Sequence, residues 1–266
     1  LLMGRKTNLN LNHLKAIGAY PEKSQFKGLL SNFLDLDQVA ENWISSQNRI
    51  NQQNDSLRFL KTHNIFGKFK NHPFTDGKNT LASIHIVRDP RNVITSIKNH
   101  FNMAEYNNAK KFLFKKGQVL TLSEKEKEKF INRDKHSLPQ IIGSWKTHYL
   151  SWKSMKKNYL LIKYENLVSE PDKEFRKITK YLNDVMHIKI EEDKIDHAIK
   201  SNSFENLKKI ENRDGFKEAI KDKGSGEVKR FFNLGPNNKW EKILDSEIKD
   251  EIEKKFNVEM KELGYL

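Results

Sequence analysis

Apolar positions recur along this chain at two spacings, one near 3.6 residues and one made of short continuous runs. Leu36, Val39, Ala40, Trp43 and Ile44 fall at the first spacing and predict a helix over 36–51. Leu57-Arg58-Phe59-Leu60 is a short apolar run that suits a strand. A clearer strand is Leu81-Ala82-Ser83-Ile84-His85-Ile86-Val87, which stops at Arg88-Asp89-Pro90 and gives way to a helical pattern of Val93, Ile94, Ile97 and Phe101. Asp89 suits the N-cap and Pro90 the first helical position, so a strand is expected to feed straight into a helix N-terminus. Helix returns over Pro139–Lys157 with an apolar stripe of Ile142, Trp145, Tyr149 and Trp152, and Tyr159–Ile162 reads as a second buried strand. Helices are expected over Pro171–Leu182, as two short pieces within Glu191–Lys209, and at the end over Asp245–Leu263. The Lys-rich stretch Asn102–His136 reads as a mobile excursion over the sheet, with Ser123-Glu124-Lys125-Glu126 a weak helix start, and Gly215–Gly226 reads as a flexible basic loop. Strands separated by helical stretches predict an α/β fold with a parallel sheet covered on both faces. No Gly/Ser/Pro-rich linker and no internal repeat divides the chain, so residues 1–266 are expected to form one domain.

Composition narrows the class. The 266 residues are 36% apolar and contain no cysteine, enough to bury a core without disulfides, which excludes collagen-like, mucin-like and cystine-stapled proteins. Forty-nine Lys and Arg against thirty-five Asp and Glu give +14, which favours anionic partners: nucleic acid, phospholipid headgroups or a phosphorylated cofactor. No apolar run approaches the ~18 to 20 residues of a bilayer span and no signal-peptide pattern opens the chain, so a soluble, cytoplasmic protein without a membrane span is expected. The missing cysteines fit a reducing compartment, although exported bacterial proteins also lack them. The abundance of Lys and Asn is typical of an AT-rich bacterial genome. The opening Leu1-Leu2-Met3-Gly4-Arg5 has neither initiator Met nor cap, which is expected of an N-terminal truncation.

Four segments could carry chemistry. At Arg88-Asp89-Pro90-Arg91-Asn92-Val93-Ile94-Thr95-Ser96 a guanidinium stands at a strand's carboxyl end beside a helix N-terminus, and Ser96 lies two turns on, on the face of Asn92. Either Arg88 and Ser96 share an anion, or Arg88 caps strand carbonyls and Ser96 faces solvent. At Lys61-Thr62-His63, after the Leu57–Leu60 run, His63 could take a proton from a hydroxyl while Lys61 neutralises a transferred group; as one of nine histidines it could equally be structural or exposed. Tyr164-Glu165-Asn166-Leu167 places an aromatic hydroxyl at a strand end, against a nucleotide or under the next helix. Phe231-Phe232-Asn233-Leu234-Gly235-Pro236-Asn237-Asn238-Lys239-Trp240 is a turn rich in Gly, Pro and Asn flanked by cations. Glu191, Glu192, Asp193, Asp196 and His197 could be imagined as a metal site, but on a basic protein they read as a solvated helix face, and no metal is expected.

In their order and spacing these segments resemble the sulfotransferase family, whose members move a sulfuryl group from 3'-phosphoadenosine 5'-phosphosulfate (PAPS) to an acceptor. The resemblance runs from about Leu57 to Trp240. It implies the P-loop NTPase-like three-layer α/β sandwich, with a central parallel sheet flanked by helices. It further implies that Arg88 and Ser96 hold the 3'-phosphate of PAPS or of its product adenosine 3',5'-bisphosphate (PAP), that His63 is general base and Lys61 assists, and that Tyr164 and Gly235 sit in the cofactor site. Asn202-Ser203-Phe204 is similar to a Thr-Ser-Phe segment whose ring lies against the adenine, which implies that role for Phe204. Gly143-Ser144-Trp145 with His148 to Trp152 matches a helix common in bacterial members and reads as packing.

Two departures stand out. The family's opening loop of the type Tyr-Pro-Lys-Ser-Gly-x-Thr-Trp, which cradles the 5'-phosphosulfate, has no counterpart in these residues. The resemblance then implies that Leu1 falls within the helix following that loop, and that these residues alone bind cofactor poorly and turn over hardly at all. Asn233-Leu234-Gly235 also stands where the family commonly has Arg-Lys-Gly touching the 3'-phosphate, with Lys229, Arg230 and Lys239 nearby. The rival readings are a P-loop kinase of a small metabolite and a basic nucleic-acid-binding protein; no recognition motif supports the second, and no nucleic acid is expected. The acceptor, a small molecule, carbohydrate or lipid, leaves no signature, and the family's Lys-x-x-x-Thr-Val dimerisation motif does not follow Trp240.

Overall fold

The computed structural model describes residues 11, 17–53, 57–122, 136–187, 189–216, 219–221, 226, 228–232 and 235–266. The chain divides into two compact units, one of residues 1–15, 84–113 and 160–266, the other of 16–83 and 114–159.

In the first unit the strand Ser83–Val87 pairs with Tyr159–Lys163. The Pro90–His100 helix begins where the sequence predicts it: Asp89 is the N-cap, its Oδ1 accepting from the Arg91 N–H at 2.9 Å, and Pro90 fills the first helical position. Val87, Ile94, Ile162, Ile248, Ile252, Phe256 and Met260 are buried in this unit. Tyr164–Ser169 follows its strand without a break, and Pro171–Met186 packs on it and on Glu192–Ser201. Phe204–Asp214 is capped by the Ser203 hydroxyl and ends at Gly215, whose φ of +71° is a left-handed turn. Ser246–Lys255 packs on Pro90–His100 and on Asn257–Glu262. Two acids of the Glu192–Ser201 helix, Glu192 and Asp196, bond Arg176, the second at 2.5 Å, while Arg176 also bonds Asp172 of its own helix at 3.1 Å and Glu191 pairs with Lys194 at 3.0 Å.

The second unit has its own core of Tyr20, Phe26, Val39, Ala40, Trp43, Ile50, Phe74, Leu138, Ile141 and Trp152. Tyr20 donates its buried hydroxyl to the Trp43 carbonyl at 2.9 Å, and burial pushes its ionisation upward. Several expected elements differ here. The 36–51 helix is broken into Leu36–Glu41 and Trp43–Gln52, because the Asn42 side chain turns back to the Gln38 carbonyl at 3.0 Å and its backbone leaves the helical region. Of the Leu57–Leu60 run only Leu60 enters a strand, Leu60–Lys61, parallel to Gly18–Ala19, and Leu57, Phe59 and Leu60 are exposed. The Pro139–Lys157 helix starts only at Trp145, since Gly143 has a φ of +62° and Ser144 caps the helix through Thr147 N–H at 3.1 Å. Before it, Gln140–Ile141 pairs antiparallel with Val119–Leu120. The expected excursion 102–136 therefore holds structure: that strand, and a Tyr106–Phe114 helix in the first unit. The 123–126 helix start lies outside the described residues. Ile220–Lys221, inside the expected basic loop of Gly215–Gly226, pairs antiparallel with Val228–Lys229 beyond it.

Candidate functional site

In the first unit five of the predicted residues come together. Arg88 follows the Ser83–Val87 strand and Ser96 lies on the helix begun by Asp89. The Arg88 Nη1 donates to the Ser96 Oγ at 3.1 Å, and that hydroxyl donates to the Asn92 carbonyl at 3.3 Å. The guanidinium carbon stands 4.3 Å from the centre of the Tyr164 ring, a cation-π stack that fixes its plane. Both strand ends are tied together beneath this pair, because Glu165 Oε1 accepts from the Asp89 N–H at 2.9 Å.

Phe204 and Gly235 form the neighbouring part. Gly235 has a φ of +48° and lies against the Phe204 ring so closely that a Cβ would stand 2.1 Å from its Cε2. Glycine is required twice over, by backbone conformation and by space. The Gly235–Asn237 turn packs on the Tyr164–Ser169 helix. Asn92, on the face of Ser96, holds the segment that follows: its carbonyl accepts from the Asn238 Nδ2 at 3.3 Å and its Oδ1 from the Trp240 N–H at 3.0 Å. Glu211, almost wholly buried, accepts the Phe231 and Phe232 N–H groups at 2.8 and 2.9 Å and so secures the other end of the same loop. Asn233 and Leu234, where the family's cations are missing, lie outside the described residues.

A guanidinium, a hydroxyl, a stacked tyrosine and a ring braced by glycine lie together here, groups whose chemistry could receive an anion attached to a planar base. Beneath it runs a network that sequence reasoning missed. Arg91 is buried, donating to Asp89 at 2.7 Å, to Glu253 at 2.6 Å and to the Tyr265 carbonyl at 2.7 Å, with its guanidinium carbon 4.0 Å from the Trp240 ring centre. No local pattern announces this set, since the partners lie up to 174 residues apart. Asn92 is detectable from the sequence, because it stands four residues before Ser96 on the same helix face.

Lys61 and His63 belong to the second unit, and both side chains are exposed. The strand ends at Lys61, whose carbonyl accepts from the Tyr20 N–H at 2.8 Å. The backbone beyond it is fixed by side chains: His63 N–H donates to Gln140 Oε1 at 2.9 Å, the wholly buried Asn64 accepts the Ile141 N–H at 2.8 Å through Oδ1, and the Trp152 indole donates to the Asn64 carbonyl at 2.9 Å. Ser151 accepts the Phe66 N–H at 3.1 Å. The Trp145–Lys153 helix, expected only to pack, therefore carries the base candidate's loop. From it His148 reaches the His63 backbone. Burial, and after it the charge of His63, pull His148 down from 6.5 to about 4, with that backbone hydrogen bond opposing.

A family model described as the sulfotransferase domain matches residues 8–264. The chain belongs to the sulfotransferase domain family. Membership bears out the P-loop NTPase-like α/β class that the resemblance implied. No curated protein matches the chain. Among solved structures, mouse sulfotransferase SULT7A1 complexed with PAP is 20% identical, with a TM-score of 0.49, over 76% of this chain and 65% of that one. Retinol dehydratase in complex with androsterone and the inactive cofactor PAP is 19% identical, with a TM-score of 0.46, over 77% of this chain and 54% of that one. The sulfotransferase domain chain thus spans less than two thirds of the length of either. Among its described residues no helix is long and apolar enough to cross a membrane.

Proposed function

We propose that this protein transfers a sulfuryl group from PAPS to a hydroxyl or amine, the chemistry of a PAPS-dependent sulfotransferase. The observation that carries the reading is the Arg88–Ser96–Tyr164 cluster, in a chain matched to the sulfotransferase domain from residue 8 to 264. The residues present fit the nucleotide: a fixed cation and a hydroxyl suit a dianionic 3'-phosphate, and the Phe204 ring offers a face to adenine. PAPS supplies a sulfuryl group whose bond to the 5'-phosphate oxygen breaks as the acceptor's bond to sulfur forms.

The protein's own work is positioning and charge neutralisation. Arg88 and Ser96 bind the 3'-phosphate, Tyr164 holds the guanidinium in plane, and Phe204 with Gly235 sets the base. His63 takes the proton from the attacking oxygen or nitrogen, and Lys61 offsets negative charge on the group in transit. The Gln140, Asn64 and Trp152 contacts hold the main chain at His63 and Asn64, so that the imidazole is presented from a fixed backbone. The acceptor is a small molecule, carbohydrate or lipid bearing a nucleophilic hydroxyl or amine, and the protein acts in the cytoplasm as one sulfotransferase domain.

The test, made on the full-length protein with whatever residues precede Leu1, is calorimetric titration with PAP alongside turnover of PAPS with a panel of phenols, sugars and amines. Arg88→Gln is expected to weaken PAP about 10- to 100-fold, as loss of a charged hydrogen bond does. His63→Ala is expected to leave PAP affinity unchanged and abolish transfer; turnover near that of the unaltered protein would refute its role as base, and undiminished PAP binding by Arg88→Gln would refute the phosphate site.

A further inference from the structure

The Gly264–Tyr265 turn does more than finish a helix. Gly264, with a φ of +68°, reverses the chain after Asn257–Glu262, and the Tyr265 N–H returns to the Met260 carbonyl at 2.8 Å. The turn delivers Tyr265 to the elements that carry the phosphate cradle. Its hydroxyl donates to Glu165 Oε2 at 2.9 Å, its carbonyl accepts from Arg91 at 2.7 Å, and the Lys163 ammonium lies 4.5 Å from its ring centre while donating to the Leu263 carbonyl at 2.6 Å. Glu165 is the connecting piece. One of its oxygens takes the Asp89 N–H, next to Arg88, and the other takes the Tyr265 hydroxyl, while its own backbone adjoins Tyr164.

We propose that Tyr265 is a positioning residue for the 3'-phosphate site, acting through Glu165 to hold the ends of the Ser83–Val87 and Tyr159–Lys163 strands, and hence Arg88 and Tyr164, at stacking distance. The proposal rests on the reading of Arg88 as the phosphate-binding cation. The physical argument is that a carboxylate accepting from two fixed donors has one orientation, whereas a carboxylate with one donor rotates. Burial, and after it the Glu165 charge, push the Tyr265 hydroxyl far above its ordinary ionisation range, so it remains a donor at every working pH. The interaction spans 100 residues of sequence.

The experiment compares the unaltered protein with Tyr265→Phe, Glu165→Ala, their double variant, Glu165→Gln and Arg88→Gln. Each is titrated calorimetrically with PAP and, by competition, with adenosine 5'-monophosphate, which lacks the 3'-phosphate. Tyr265→Phe is expected to weaken PAP about 5- to 10-fold, a part of the energy of one charged hydrogen bond, and to leave adenosine 5'-monophosphate within about twofold. Glu165→Ala, which also takes the acceptor from the Asp89 N–H, is expected to weaken PAP at least as much, with the double variant no worse than Glu165→Ala alone, while Glu165→Gln, which keeps an acceptor for Asp89 N–H, retains PAP binding within about twofold. Unchanged PAP affinity in Tyr265→Phe, equal losses for both nucleotides, or additive losses in the double variant would each overturn the proposal. If Arg88→Gln still binds PAP normally, the phosphate-site reading itself falls. If Arg88→Gln loses PAP and Tyr265→Phe does not, only the role of Tyr265 falls.

Discussion

Lowering the pH from 8 to 5 should weaken the fold through one imidazole. His148 takes a proton at 6.5 when exposed in the unfolded chain and only at about 4 in the folded one. Between those values the unfolded state holds the extra proton, so acid favours unfolding. The stability is fully present above pH 6.5 and is lost as the pH falls toward 4. At pH 5 the unfolded imidazole is almost entirely protonated and the folded one almost entirely neutral, which costs about 2 kcal/mol, approaching about 3 kcal/mol once the pH is below 4. Urea titrations at pH 8 and pH 5 read this directly, since with a slope of about 3 kcal/mol per M the midpoint should fall by roughly 0.7 M. Carboxylates also titrate near the lower end of this range, so the comparison is with His148→Gln, which keeps a polar side chain but cannot take the proton. Its midpoint should fall less between the two pH values, by the histidine's share. Equal pH slopes in the two proteins would refute the argument. The outcome bears on His63 as well, because a neutral His148 places no positive charge beside the imidazole proposed as base.

Two further outcomes follow from the other unit. Gly235→Ala should cost about 2 to 4 kcal/mol in denaturant unfolding, combining a left-handed backbone with a Cβ driven into the Phe204 ring, and Phe204→Leu in the same chain should recover part of it; a cost below about 0.5 kcal/mol would show that the turn simply moves. Arg91→Met should cost about 3 to 5 kcal/mol, because Asp89 and Glu253 lose their common cation and Asp89 stays buried, and a loss under about 1 kcal/mol would mean that the network relaxes into water.

Local features were the ones legible in the amino-acid order. Asp89-Pro90 after an apolar, β-branched run specifies a strand ending in a capped helix, since the cap bond and the proline φ need only residues 89–91. Spacing then placed Ser96 within reach of Arg88, and the ordered segments from Lys61 to Trp240 carried the family. Phe204 and Gly235, 31 positions apart, were legible as site residues only through that resemblance; the 2.1 Å clearance that makes Gly235 obligatory is a tertiary fact. The misread elements fail for the same reason. Leu57–Leu60 has the composition of a buried strand, but among the described residues only its Leu60 pairs, and Leu57, Phe59 and Leu60 stay exposed. Pro139–Lys157 has a helical stripe, yet the pairing of Gln140–Ile141 with Val119–Leu120 and the Gly143 turn take its first third away from the helix. Tertiary structure alone decided the supports: Arg91 among Asp89, Glu253 and Tyr265, and Gln140 under His63. Long-range hydrogen bonds and ion pairs leave no periodic trace, because a single residue at each end supplies the donor or acceptor and the intervening chain is free to be anything that brings the ends together.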